Sequence, residues 1–306
     1  KETVESLKQE ETFFIVSSKS FTTDETLQSL KLSKSWILQN CSFDDHFIAI
    51  TSQPDKAKEL GFNNMITFPN EIGGRYSMWS PISLPAILEL GNDFIEFLKG
   101  GGESDNQLLY DNEYKKFIKT LSFSDLWYSN FNQRETRVLL TYSWKMRFFK
   151  DYAQQLEMES LGKQPNQNSI FQKTGQIVFG GFGSTAQHSY FQLLHQGTSS
   201  ICADIFTIED YRVKNKLLFA QSQAQANLLA AGGNADLKDH EKVNSDVPTN
   251  LFTLKTLSPF NLGYLTASWE HRTFVTSQML EINPFDQYGV SAGKFFTNKY
   301  IDDHKG

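Results

Sequence analysis

Hydroxyl-bearing residues surround a lysine near the start of the chain, in the segment FFIVSSKSFTTDET (13–26). A strand-like run leads directly into Ser18, Lys19, Ser20 and Thr23, which stand just before a predicted helix. Hydroxyls, one ammonium group and free backbone N–H groups at a helix N-terminus form a cradle for phosphate. The alternative is ordinary helix capping, but a cap needs only one hydroxyl. The surplus therefore favours an anion site.

A glycine pair precedes an arginine in the segment MITFPNEIGGRYSMWSPISLP (65–85). Gly73 and Gly74 allow the backbone to approach a ligand closely, and we expect them to aim Arg75 outward. A guanidinium stays charged at any working pH, so it can stabilise an oxyanion without giving up its own proton. Taken alone, the motif is more typical of an exposed arginine on a turn.

A carboxylate and an amide share one helix face in DYAQQLEMESLGKQ (151–164). Gln155 and Glu159 stand at i and i+4 on a helix that Gly162 is predicted to end. A carboxylate near a helix end is usually solvated, so this spacing alone does not make Glu159 catalytic.

A second polar face is predicted in EINPFDQYGVSAGK (281–294), where Gln287 and Lys294 stand two helical turns apart. By itself, this pattern is typical of a surface helix.

A glycine-rich turn follows a strand-like run in IVFGGFGSTAQHSYFQLLHQGT (177–198). Gly181, Gly183 and Ala186 match the G-x-G-x-x-A dinucleotide fingerprint, and Asp204 near the end of the next strand could serve as its ribose acid. This interpretation predicts a nicotinamide- or flavin-dependent oxidoreductase.

Two histidines follow the same turn. His195 precedes the helix-ending Gly197, a position suited to proton transfer. On one continuous helix His188 would lie roughly 10 Å away along the axis, so a single metal ion could not bind both.

Short apolar runs alternate with longer helix-like stretches, which predicts an α/β architecture with mainly parallel sheets. The predicted strands are 13–16, 46–51, 65–68, 176–179 and 201–206.

The sequence between these strands predicts helices and two domains. Residues 107–162 and 259–296 have helical patterns, and the polar stretch 230–250 is predicted to be a surface loop. KGGGESDN (99–106) is a Gly-rich polar interruption. A boundary slightly before it, near residue 90, predicts domains 1–90 and 91–306.

The composition limits the kinds of molecule that the chain is expected to bind. The chain has 306 residues, 39% of them hydrophobic, and a net charge of -6. This acidic balance disfavours nucleic acid and anionic membrane surfaces, and no apolar run is long enough to span a bilayer. Cys41 and Cys202 have no metal-spaced or redox-spaced partner, which predicts reduced thiols and a cytoplasmic location.

The identity and order of these motifs resemble the glucose-6-phosphate isomerase family. The strings that carry the resemblance are SSKSFTT, GGRYSMWS, MESLGK, AQHSYFQLLHQGT and FDQYGVSAGK, between about residue 12 and Lys294. The resemblance implies two sugar-isomerase-type (SIS) three-layer α/β/α domains, the first incomplete, in a homodimer without cofactor or metal. It implies interconversion of glucose 6-phosphate and fructose 6-phosphate through an enediolate, in glycolysis and gluconeogenesis.

The resemblance also implies roles for matching positions. Ser18, Lys19, Ser20 and Thr23 would hold the substrate phosphate, and Arg75 with the Gly74 backbone would stabilise the enediolate. Glu159 would move the proton between C2 and C1, with Gln155 nearby, and Gln287 would contact the phosphate end. His195, donated by the neighbouring subunit, would open the sugar ring together with Lys294.

Some positions depart from the family pattern. Leu161 stands where an Asn is usual, and GFGSTAQHS replaces a more polar string; we expect both changes to adjust the pocket. A Gly-rich phosphate loop of the family lies upstream of the motifs present here, so we expect weak or absent activity from residues 1–306 alone. Two alternatives stay open: a non-catalytic sugar-phosphate-binding SIS module, and an isomerase that also accepts mannose 6-phosphate.

Overall fold

The computed structural model describes residues 4–37, 41–233 and 238–304. The chain divides into two compact units, Lys1–Ile95 and Glu96–Gly306.

The first unit is built on a three-stranded parallel sheet. Its strands are β1 (Phe14–Ser17), β2 (Phe47–Thr51) and β3 (Met65–Thr67), in the order β1-β2-β3. The helices of this part of the chain are α1 (Asp24–Ile37), α2 (Phe43–His46), α3 (Pro54–Glu59) and α4 (Leu84–Leu90), with 3-10 turns at Gln9–Glu11, Gly74–Trp79 and Pro81–Ser83.

Aromatic side chains form much of the core of the first unit. Phe47 stacks on Phe14 and Phe43, with ring centroids 4.9 and 4.4 Å apart, and Phe62 lies edge-on to Phe43. Because β2 is the central strand, its inward residues are fully covered, and this burial fixes the register of its neighbours.

The second unit contains a four-stranded parallel sheet in the order β5-β4-β6-β7. The strands are β4 (Thr136–Thr141), β5 (Ile177–Phe182), β6 (Ile201–Ile208) and β7 (Thr249–Leu254). Every residue of β6 is buried, as expected for a central parallel strand covered on both faces.

Helices account for most of the rest of the second unit. They are α5 (Asn92–Tyr110), α6 (Asn112–Asn130), α7 (Phe149–Leu161), α8 (Gly183–Ala186), α9 (Phe191–Gln196), α10 (Tyr211–Lys214), α11 (Lys216–Ala231), α12 (Pro259–Met279) and α13 (Tyr288–Asp303), with 3-10 turns at Trp144–Met146 and Asp239–Glu241.

The predicted α/β architecture with parallel sheets is confirmed, and each predicted strand overlaps an observed one. The prediction of unbroken helix from 107 to 162 is wrong, because β4 and its flanking turns lie inside that range. Its run RVLL is too short and too apolar for periodicity to separate a buried strand from a buried helix.

The Gly-rich segment 99–106 is not an interruption but the middle of α5. A side chain at Gly100 would overlap the backbone carbonyl of Phe260 on α12, so the glycine lets the two helices approach closely. The predicted loop 230–250 holds the end of α11 and the start of β7, and its residues 234–237 lie outside the described residues.

Candidate active site

The SSKS segment forms the turn that joins β1 to α1. Ser18 is 7% exposed, and its Oγ accepts a hydrogen bond of 3.1 Å from the backbone N–H of Phe21. Phe21 has a φ of 47°, a conformation uncommon for a non-glycine residue, and its buried ring lies 5.7 Å from that of Phe62. The buried Phe21 ring anchors the turn, and the Ser18 hydroxyl oxygen accepts a backbone hydrogen bond within it.

The end of β2 supports the same turn. The carbonyl of Lys19 accepts hydrogen bonds from Thr51 Oγ1 at 3.1 Å and from Ser52 Oγ at 2.8 Å. Lys56, which the sequence interpretation missed, donates from Nζ to the Ser20 carbonyl at 3.3 Å and adds a second ammonium beside the turn. Because carboxyl ends of parallel strands meet at one sheet edge, polar groups from β1 and β2 converge here.

Thr23 completes this group immediately before α1, where its carbonyl accepts the Leu27 N–H at 3.0 Å. The first unit therefore gathers Ser18, Lys19, Ser20 and Thr23 at the N-terminus of a 14-residue helix, where positive dipole and hydroxyl donors suit an anion.

Arg75 lies in the 3-10 turn Gly74–Trp79, and the expectation of an exposed arginine on a turn is wrong. Its side chain is 6% exposed, and its guanidinium carbon lies 5.6 Å from the centroid of the Tyr76 ring. Gly74 is exposed, and a Cβ there would meet open space, so its backbone is accessible to a ligand. Ser77 Oγ donates to the Gly74 carbonyl at 2.7 Å and fixes the turn.

A cavity of about 730 Å³ opens in the second unit between the end of α7 and the start of α13. Glu159 and Gln287 both line it, so the structure brings together residues that lie 128 positions apart in the sequence. The lining residues are Met158, Glu159, Gly162, Lys163, Gln164, Asn166, Glu281, Ile282, Asn283, Asp286, Gln287, Tyr288, Gly289 and Val290. This volume lies in the range of small-molecule sites, about 300–1,000 Å³.

Glu159 is half-buried on the last turn of α7, and the helix ends at Gly162 as predicted. Gln155 Nε2 donates to Glu159 Oε2 at 3.3 Å, as their i, i+4 spacing predicts. An amide donor beside one carboxylate oxygen helps to orient the Glu159 carboxylate at the cavity wall.

Lys163 links the two sides of this cavity. Its Nζ lies 3.0 Å from Asp286 Oδ1 and also donates to the Asp286 backbone carbonyl. Sequence spacing gave no sign of this pair, although both residues belong to quoted motifs. The ion pair fixes the turn that carries Gln287 against the end of the helix that carries Glu159.

Lys294 and His195 are not among the described residues that line this cavity. Lys294 is exposed on α13, two turns after Gln287. His195 lies on α9, where its Nε2 is 2.8 Å from Gln225 Oε1, and burial lowers its pKa. His188 lies in the turn between α8 and α9, so the two histidines do not share one continuous helix.

The glycine-rich turn does not have the features of a dinucleotide site. A Cβ at Gly183 would overlap the Tyr142 ring, so this glycine serves close packing. The helix that follows it has only four residues. Asp204 is fully buried and accepts hydrogen bonds from Arg272 and Asn250, both at 2.8 Å, so it cannot reach a ribose.

Asp204 belongs to a buried charged cluster, which we define as Asp125, Arg137, Glu157, Asp204 and Arg272. Glu157 is paired with Arg137 and accepts from Trp269 Nε1 at 2.7 Å. Because Glu157 and Glu159 point to different sides of α7, the cluster anchors the helix whose other side carries Glu159.

The sequence profile described as phosphoglucose isomerase matches residues 1–306. The chain belongs to the phosphoglucose isomerase family. A glucose-6-phosphate isomerase of Hydrogenovibrio crunogenus is 36% identical over 96% of this chain and 60% of its own length. One of Wigglesworthia glossinidia brevipalpis is 35% identical over 96% of this chain and 59% of its own length.

A solved structure supports the same family. The crystal structure of a glucose-6-phosphate isomerase from Chlamydia trachomatis has a TM-score of 0.86 and 29% identity, over 98% of this chain and 61% of that one. The chain therefore spans about 60% of the length of the curated relatives it matches.

Leu161, which departs from the family pattern, does not line the cavity. It is 4% exposed and packs with Leu126 and Leu280. Its side chain belongs to the core, next to Gly162, which lines the cavity, and the expectation that it adjusts the pocket stays a prediction.

Across residues 4–37, 41–233 and 238–304, no cluster of three or more histidine, cysteine, aspartate or glutamate side chains is arranged to hold a metal ion. Over the same ranges, no helix combines the length and apolar character needed to cross a membrane.

Proposed function

We propose that the chain carries the base of a phosphoglucose isomerase, and that the full gene product interconverts glucose 6-phosphate and fructose 6-phosphate. The observation that carries the proposal is that Glu159 lines an open cavity with Gln287, in a chain that matches this family over its whole length. Glu159 has Gln155 beside it as an orienting donor, which suits a base that must face one carbon and then its neighbour.

The reaction moves one hydrogen and one carbonyl between adjacent carbons. Glu159 takes the proton from C2 of the open-chain aldose, and the C2–H electron pair forms the enediolate. The same carboxyl returns the proton to C1 while the proton of the C2 hydroxyl passes to the oxygen on C1, so that the carbonyl moves to C2. A proton α to a carbonyl is weakly acidic, so a cation must stabilise the oxyanion that forms; Arg75 and the Gly74 N–H have this role. The substrate is neither oxidised nor reduced overall, so the chemistry requires no redox cofactor.

The remaining site residues bind the phosphate of the substrate or open its sugar ring. Ser18, Lys19, Ser20 and Thr23 bind the phosphate, and Gln287 contacts the phosphate end. For ring opening, the C1 hydroxyl gives its proton to His195 while the ring C–O bond breaks, and Lys294 protonates the ring oxygen. We further propose a homodimer in which His195 serves the neighbouring subunit, in the cytoplasm, where the free thiols Cys41 and Cys202 remain reduced.

The test is a coupled assay of fructose 6-phosphate conversion together with exchange of the C2 hydrogen with solvent. Both are measured on the full gene product and on residues 1–306, each beside Glu159→Gln. The amide is isosteric with the carboxylate but accepts no proton, so turnover and exchange in the full gene product should fall by about a hundredfold or more. Residues 1–306 alone should show weak or absent activity. The matched control is Glu281→Gln at the rim of the same cavity, which should stay within about threefold of the parent.

Two results would refute the proposal in different ways. Absence of turnover and exchange in the full gene product would refute isomerisation. If fructose 6-phosphate nevertheless raised the melting temperature equally in parent and Glu159→Gln, the chain would be a sugar-phosphate-binding module. Turnover of mannose 6-phosphate would extend the substrate range without changing the role of Glu159.

A further inference from the structure

The backbone carbonyl groups of the turn between β1 and α1 are engaged by donors from β2 and α3. Thr51 Oγ1 and Ser52 Oγ donate to the Lys19 carbonyl, to which the Ser52 backbone N–H also donates at 3.2 Å. The Ser20 carbonyl accepts from Lys56 Nζ at 3.3 Å. A carbonyl oxygen carries partial negative charge, so these bonds offset the repulsion that the turn would exert on an anion.

The short helix α3 fixes the position of Lys56. Pro54 begins this helix, and the backbone N–H of Ala57 donates to the Gln53 carbonyl at 3.1 Å. The Ala57 side chain is fully buried in the aromatic core of the first unit, which holds the helix in place. The adjacent Lys56 is exposed, so its ammonium group is accessible to a ligand at the turn.

Lys56 has more donors than its contact with the turn uses. An ammonium group has three N–H donors and no acceptor, so the bond to the Ser20 carbonyl leaves two of them available. In the part of the chain that the structure describes, neither Lys19 nor Lys56 pairs with a carboxylate. A phosphate monoester carries about two negative charges near pH 7, of which Lys19 can balance one.

We infer that Lys56 is a second cation of the phosphate site, which tethers the turn through the Ser20 carbonyl and places its positive charge beside the bound dianion. The identity of the ligand as a sugar phosphate rests on the proposed function, whereas the presence of an anion site does not. Lys56 stands 36 residues after Ser20, outside the motif, and reaches it because β1 and β2 end at one sheet edge. The phosphate takes no part in bond breaking, so Lys56 contributes to binding and not to the chemical step.

The same helix supplies a matched control. Lys58 is exposed two residues after Lys56, which turns its side chain about 200° around the helix axis. Replacement of either lysine by Met removes the same charge from α3, whereas the described contact with the turn belongs to Lys56. Lys56→Arg keeps the charge, and Lys56→Gln keeps an N–H donor without the charge. These two variants separate attraction of the phosphate from support of the Ser20 carbonyl.

The test is steady-state kinetics of the full gene product with fructose 6-phosphate, with inorganic phosphate as a competitive inhibitor. Lys56→Met should raise KM and the inhibition constant of phosphate by about threefold to tenfold, the factor that one exposed charge supports, with kcat within about twofold. Added salt should reduce this difference, because salt screens exposed charges. Lys56→Gln should behave like Lys56→Met, whereas Lys56→Arg and Lys58→Met should stay within about twofold of the parent.

Three results would overturn the inference. Unchanged KM and inhibition constant in folded Lys56→Met would exclude a role in binding. Parent-like values in Lys56→Gln would show that the ammonium serves only the Ser20 carbonyl. Equal losses in Lys56→Met and Lys58→Met would show that only the net charge of the surface matters.

Calorimetric titration of the full gene product with inorganic phosphate separates this inference from the proposed function. An inactive parent whose affinity for phosphate falls in Lys56→Met would refute isomerisation and support the role of Lys56. An active parent whose affinity is the same in Lys56→Met would overturn the role of Lys56 alone. A parent that binds no phosphate would also overturn it.

Discussion

Removal of Arg272 from the buried charged cluster is the perturbation whose outcome the structure defines most sharply. Its guanidinium donates at 2.8 and 2.5 Å to the two carboxylate oxygens of Asp125 and at 2.8 Å to Asp204 Oδ2. The cluster holds two guanidinium groups and three carboxylates. Arg272→Met would leave one cation to serve all three anions in a site that water does not reach.

Arg272→Met should lower the free energy of unfolding because it removes one partner of a buried ion pair. Loss of one partner of such a pair costs about 3–5 kcal/mol, because the other charge stays buried without compensation. For a unit of this size, about 1 kcal/mol lowers the melting temperature by about 2–4 °C, so we expect a fall of about 6–20 °C. The cluster is buried and poorly screened, so raising the salt concentration should change this loss little.

Glu157→Gln is the matched comparison within the same cluster. It removes the unbalanced negative charge, leaving two cations and two anions, and an amide oxygen still accepts from Trp269 Nε1. The neutral amide loses one charged hydrogen bond to Arg137, so the cost should be no more than about 2 kcal/mol. Scanning calorimetry on residues 1–306 measures both variants.

The order of the two variants is the decisive result. If Glu157→Gln lowered the melting temperature as much as Arg272→Met, charge balance would not govern the cluster. An Arg272→Met variant within about 1 kcal/mol of the parent would show that the buried carboxylates neutralise themselves by taking up protons.

Three further predictions concern other parts of the chain. Gly100→Ala should destabilise the protein by about 1–3 kcal/mol, because the new methyl group overlaps the backbone of α12. Gly102→Ala on the same helix places its methyl group in open space and should stabilise the protein by about 0.8–1.0 kcal/mol. Urea unfolding followed by circular dichroism measures both variants, and equal effects would contradict the close contact between the helices. Lys163→Met should raise KM for fructose 6-phosphate by about threefold to tenfold with a smaller change in kcat, because the ion pair with Asp286 fixes the rim of the cavity. Steady-state kinetics on the full gene product test this prediction. An unchanged KM would exclude a role for the ion pair in substrate binding. Burial lowers the pKa of His195, so the unfolded chain binds more protons than the folded chain as the pH falls past about 6.5. The melting temperature should therefore fall on acidification below that pH, and it should fall less steeply in His195→Gln. The same dependence of melting temperature on pH in both proteins would refute a contribution from His195.

Local sequence pattern predicted the class of fold and the ends of several elements. Apolar runs at 46–51 and 201–206 predicted strands, and the structure shows that both lie inside parallel sheets, where strands are buried on both faces. Gly162 predicted the end of α7, and the i, i+4 spacing predicted that Gln155 and Glu159 share one helix face, where they form a hydrogen bond. These features depend on backbone periodicity over a few residues, which is written directly in the sequence.

The sequence pattern gave wrong predictions where residues far apart in the chain determine the local structure. Gly100 reads as a helix breaker, yet it lies within α5 because α12 packs against it. Asp204 fits a ribose-binding position by spacing, yet Arg272, which lies 68 residues later, holds it in a buried ion pair. Arg75 reads as an exposed turn residue, yet it is buried.

The sequence by itself determined which residue types were available for chemistry and, through the order of its motifs, the family. The tertiary structure alone decided which of them meet: Glu159 with Gln287 across one cavity, Lys163 with Asp286 at its rim, and His195 with Gln225 from another helix. The physical reason is that helices and strands form from local preferences, whereas the partner of a buried polar group is chosen by packing between elements far apart in the chain.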